Sequence, residues 1–141
     1  MHISPMKTFG WLVLCSIILA ACSPTASNQL TGTSWLLVSL DGNAQVGEAL
    51  GGQPVTLGFT SSTEAGGSAG CNSFGAKYEA SSTGSISFSE VVSTLMACTQ
   101  EGIGDIGTAY LDALNAAEHY EIAGATLTII GGGHSLVFER A

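Results

Sequence analysis

The chain of 141 residues carries eleven acidic side chains against three Lys/Arg, a formal net charge of −8, and only 10% charged residues overall. No cluster of Lys and Arg exists to neutralise a phosphate backbone, which excludes nucleic acid as a partner. Four cysteines leave the redox compartment as the next question.

The first element answers it. MHISPMKTFGWLVLCSIILAAC places Lys7 ahead of an apolar run over residues 9–21, and Met6 offers an alternative start. The run is shorter than the ~20 residues of a membrane-spanning helix and has the layout of an export signal. LAAC (19–22) puts small residues before a cysteine where an ordinary signal would have a cleavage site, and so resembles the bacterial lipobox. By that resemblance residues 1–21 are a lipoprotein signal peptide and Cys22 is the lipidated first residue of the mature protein. Residues 22–31, polar and carrying Pro24, read as a tether of at most about 30 Å. The membrane is then a partner through the anchor. By analogy with bacterial lipoprotein sorting, Ser23 after the lipid cysteine favours the periplasmic face of the outer membrane in a cell with two membranes. What remains, residues 32–141, is one domain long enough to bury a core of its own.

Period-two patterns dominate that domain. WLLVSL (35–40) is β-prone and is followed by the turn signal Asp41-Gly42. VTLGF (55–59), SISF (85–88), YEI (120–122), TLTII (126–130) and SLVF (135–138) follow, each alternating, with Gly, Ser and Asn in the gaps between them. Phe74 and Tyr78 suggest a further strand, and GGG (131–133) the link of a final hairpin. One segment breaks the period. Ile103, Ile106, Tyr110, Leu114 and Ala117 recur at three and four, the stripe of an amphipathic helix over residues 105–117. Glycines weaken its start by about 1 kcal/mol each relative to alanine, so packing must hold it. The expected fold is mainly β, an antiparallel curled sheet or lipocalin-like barrel covered by that helix. Trp35, Phe59, Tyr78, Phe88 and Phe138 are expected in its core.

Cys15 leaves with the signal and Cys22 carries lipid, so Cys71 and Cys98 remain. A zinc site would need two more ligands, yet His119 and His134 are widely spaced and no C-x-x-C occurs. A thiol nucleophile would need an electropositive setting, and TLMACTQE has no cation. In an oxidising compartment such a pair joins, and a disulfide is expected. Two motifs match chemistry by letter only. GGSAG (66–70) fits G-x-S-x-G with Ser68, and Asp105, Asp112, His119 and His134 follow in suitable order, but the elbow needs a large parallel α/β sheet. GIGDIG (102–107) fits G-x-G-x-x-G without the preceding strand of a βαβ unit. No catalytic, cofactor-binding or metal residues are assigned.

TSWLLVSLDG, GSAGCNSFGAKYE, ISFSEVVSTLMACT, AYLDALNAAEHYEIAGATLTII and SLVFE, in that order, resemble the META domain of the HslJ-like family over about residues 31–139. The most specific elements are Gly67, Gly70, Cys71 and Asn72, then Thr94, Met96, Ala97 and Cys98. The resemblance implies a lipocalin-like barrel or curled sheet with a helix, among lipoproteins and heat-shock-associated envelope proteins, and no catalytic set. The expected function is therefore a non-enzymatic, monomeric envelope lipoprotein that binds an envelope protein partner or helps maintain the envelope, with a link to envelope stress. The alternatives are an inhibitor or assembly factor docking an exported enzyme or secretion component, and a small-ligand-binding barrel.

Overall fold

The computed structural model describes residues 27–141. The expected signal peptide, and Cys22 with it, lie outside the described residues. The packed unit opens with one helical turn, α1 (Ser27–Leu30), whose Leu30 is fully buried, so the core already recruits the end of the expected tether.

Eight antiparallel strands form one curled sheet. They are β1 (Ser34–Leu40), β2 (Thr56–Phe59), β3 (Glu64–Ser68), β4 (Ser73–Ala80), β5 (Ile86–Ser93), β6 (His119–Ala123), β7 (Thr126–Gly131) and β8 (His134–Arg140). A single long helix, α2 (Ile103–Asn115), joins β5 to β6, and a 3₁₀ turn (Gly47–Leu50) lies between β1 and β2. The strand order is β5-β4-β3-β2-β1-β8-β7-β6. The first strand therefore sits in mid-sheet, paired to both β2 and the last strand. The two edges, β5 and β6, meet at one end only. There the Ile86 N–H donates to the Glu118 carbonyl at 3.0 Å and the Tyr120 N–H to the Gly84 carbonyl at 2.8 Å. The result is the mainly β, curled half-barrel that the alternation implied.

Inward positions follow the period of two. Trp35, Leu37, Leu57, Phe59, Tyr78, Leu127, Ile129, Leu136 and Phe138 are all buried. Phe59 meets Tyr78 edge-on with centroids 4.8 Å apart, a contact that adds about 0.5–1.5 kcal/mol beyond area burial. α2 closes the open side. Its Tyr110 meets Phe74 of β4 at 5.6 Å and Phe138 of β8 at 6.3 Å, and its hydroxyl donates to the Thr56 carbonyl of β2 at 3.1 Å. One side chain thus ties the helix to three strands across the interior. Burial pushes the Tyr110 hydroxyl well above its ordinary pKa of 10.0.

The turns behave as the sequence chemistry requires. Asp41 and Gly42 both have positive φ, 52° and 80°, as a two-residue hairpin turn demands. The final hairpin turns through Gly132 and Gly133, with Gly131 paired to His134. β3 is the strand that alternation did not reveal. EAGGS offers one inward side chain, Ala65, and a Cβ on Gly67 would collide with the Thr56 carbonyl. The glycine there is a condition of close strand approach and hides the strand's pattern. α2 starts two residues earlier than the spacing predicts and ends two earlier. Ile103 is fully buried and fixes the first turn, although Gly102 at the N-cap supplies no side-chain cap.

Candidate functional site

The two sequence elements built around cysteine come together at one end of the half-barrel. Cys71, in the turn from β3 to β4, is disulfide-bonded to Cys98 with their Cα atoms 5.9 Å apart. The bond closes over residues 94–98, the segment leaving β5. Asn72 holds the same segment non-covalently. Its Oδ1 accepts the Met96 N–H at 2.7 Å and the Thr94 hydroxyl at 2.9 Å, and its Nδ2 donates to the Met96 carbonyl at 3.4 Å. The amide thus pairs with Met96 on both its N–H and its C=O, as a neighbouring strand residue would. The Thr94 N–H adds a bond to the Ser73 carbonyl at 3.0 Å.

This clasp presents apolar side chains to water. Leu95 is 94% exposed, Val92 67% and Met96 59%. A flexible loop could tuck such side chains away; one held by a disulfide and an amide clasp keeps them out. Contiguous exposed apolar patches of roughly a few hundred Å² mark interaction sites, and these three side chains lie within one short segment, residues 92–96. Beside Leu95, between this segment and α2, lies a cleft of about 100 Å³ whose walls include Ile103, Gly104, Thr108 and Leu111. α2 approaches the β3–β4 turn closely here. A Cβ on Gly107 would stand 2.8 Å from the Ala69 carbonyl oxygen.

The chemical decoys resolve into structural roles. Ser68 ends β3, and its hydroxyl accepts the Gly70 N–H at 3.1 Å, a turn-stabilising bond. His134 instead pairs with Asp41 at 2.9 Å, and that bond, with the Ser135 N–H, holds the Asp41 carboxyl below its usual pKa. His119 opens β6 opposite Ser85. In GIGDIG, Gly102 has φ 80° at the helix N-cap, and the strand before it, β5, ends at Ser93 in an antiparallel sheet, so no βαβ unit forms. Among the described residues no group of three or more His, Cys, Asp or Glu could hold a metal. Nor does any of their helices have the length and apolarity to cross a membrane. The half-barrel interior is filled by its own aromatics, with no buried polar residue among those described.

Sequence reasoning found the sulfur pair and missed the clasp. Asn72 was visible as part of the motif, but nothing local says that its amide reaches across more than twenty residues. The exposure of Leu95 and Met96 was equally hidden, since STLMAC reads by composition as core.

A small, disulfide-braced antiparallel half-barrel plugged by one helix, with a clasped apolar segment at one end, is the class of protein these features define. The family model for the META domain matches residues 28–141, and the chain belongs to that family. Solved structures share the architecture. A protein from Burkholderia xenovorans, solved by NMR, is 29% identical with a TM-score of 0.65, covering 93% of this chain and 99% of its own. A second NMR structure is 19% identical with a TM-score of 0.65, covering 80% of this chain and 92% of that one. A DUF4847 family protein from Bacteroides vulgatus, a crystal structure, is 14% identical with a TM-score of 0.58, covering 81% and 96%. These last two show the fold alone. None of the curated proteins compared matches the chain.

Proposed function

We propose that this protein is a non-catalytic binding module of the cell envelope. It is exported, acylated at Cys22, and held by that anchor at the periplasmic face of the outer membrane where a cell has two membranes. There it docks a protein partner through the clasped segment around Leu95. The link to envelope stress rests on the family resemblance. The observation that carries the reading is the covalent and hydrogen-bonded presentation of Leu95 and Met96 in a domain whose core is packed with its own side chains. A packed aromatic core favours docking on the outside over a small ligand within. An inhibitor or assembly factor for an exported enzyme or secretion component would use the same surface.

Cross-linking with mass spectrometry on the membrane-anchored protein tests the reading. The expected result is an acylated Cys22 as first residue, an oxidised Cys71–Cys98 pair, and a saturable protein neighbour. A non-acylated cytosolic chain, or a robust turnover rate from the purified protein, would contradict it.

A further inference from the structure

The charges around the clasped segment narrow the partner's chemistry. Glu101 and Asp105 are exposed where the chain enters α2, and Asp112 is exposed further along it. Spacings of three and four place Asp105, Thr108 and Asp112 on one stripe of the helix, and Thr108 lines the cleft beside Leu95. No Lys, Arg or His occurs between Glu90 and Glu118. The two cations elsewhere in the domain are already engaged. Lys77 pairs with Glu90 at 2.9 Å, and Arg140 stacks 4.4 Å from the Trp35 ring centre. The face is thus an apolar knob and a small cleft of mixed apolar and polar lining beside an acidic stripe, with no cation of its own nearby.

We propose that this face takes a basic peptide segment of an envelope protein. One leucine-sized side chain enters the cleft against Leu95, and flanking lysines or arginines lie along Asp105 and Asp112. The inference rests on the docking function above and specifies its partner. The cleft, about 100 Å³, suits one aliphatic side chain and is well below the roughly 300–1,000 Å³ of drug-sized ligand pockets. Charge complementarity selects the occupant. A second copy of this chain would bring the acidic stripe against itself. An anionic lipid surface would be repelled and would find no cation here to meet its phosphates.

Titration of the labelled full chain with synthetic peptides tests the proposal. The probes are a lysine-rich peptide with one central leucine, the same peptide with serine for leucine, and the leucine peptide with serine for lysine. Vesicles of phosphatidylcholine with and without phosphatidylglycerol, and sedimentation of the chain alone, cover the other occupants. The first peptide should bind saturably. Loss of its leucine should weaken binding by about tenfold or more, as expected for one buried aliphatic side chain. Leu95→Ala should weaken it by a similar factor, Asp105→Asn with Asp112→Asn by about threefold to tenfold, and added salt should weaken it further. Leu95 is almost wholly exposed, so its variant should keep the wild-type circular dichroism spectrum. Equal binding of all three peptides, no saturable binding, vesicle binding that Leu95→Ala weakens, or self-association abolished by Leu95→Ala would each overturn the proposal. Protein cross-links through position 95 in cells, without basic-peptide binding in vitro, would refute this partner chemistry and leave the docking function standing.

Discussion

Replacing Cys71, Cys98 or both by serine should cost the same free energy in all three variants, because each breaks the same single bond. The bond closes a loop of 27 residues. In the chain-entropy account, a loop of that length loses about 3.5 kcal/mol of stabilisation when opened. Against a total stability of about 5–15 kcal/mol for a small domain, this leaves the variants folded but close to the limit. With a urea slope of about 1.5 kcal/mol per molar, the unfolding midpoint should fall by about 2 M. Urea denaturation of the purified chain, followed by tryptophan fluorescence, gives the number, since Trp35 is fully buried in the core. Reductant added to the wild type should reproduce the loss and leave the double variant unchanged. Strongly unequal single losses, or a double variant losing the sum of the two, would refute the shared-bond reasoning.

Further outcomes follow from the packing and the hydrogen bonds. Gly107→Ala should destabilise by about 1–2 kcal/mol in thermal unfolding, because crowding against the Ala69 carbonyl outweighs the ~1 kcal/mol gain in helix propensity. Tyr110→Phe should cost about 1–2 kcal/mol by leaving the Thr56 carbonyl without its donor. Burial raises the folded-state pKa of Tyr110, so its contribution is full below the unfolded value of about 10 and is lost as pH rises through the folded one. Wild-type stability should therefore decline above pH 10, and less steeply in the variant; an unchanged alkaline slope would count against the assignment. Asn72→Ala should cost about 1–2 kcal/mol, and should speed amide exchange at Met96 far more than at Ile129 in the core.

How much of this was legible beforehand depended on whether a residue's role was local. The strands with inward Val, Leu, Ile or aromatic side chains announced themselves by period, as did Asp41-Gly42 and the glycine hairpin. β3 did not, because close approach to β2 required glycine where a pattern-bearing side chain would have stood. The five aromatics expected in the core are all there, since size and polarity alone drive them inside. The cysteine pairing was readable from compartment chemistry. The use of Asn72 as a surrogate strand, and the outward display of Leu95, are long-range facts with no local signature. The helix spacing was correct, and its boundaries slid toward Ile103 because burial of one isoleucine outweighs the absence of a cap.

A photo-activatable side chain at position 95, in chains expressed in intact cells, tests the docking function most directly. Position 82, exposed beyond the opposite end of β5, serves as the control. The account predicts one discrete, saturable protein adduct at 95, weakened by Asn72→Ala and absent at 82. Indistinguishable adducts from the two positions, or none at 95 from a properly anchored and oxidised chain, would contradict it.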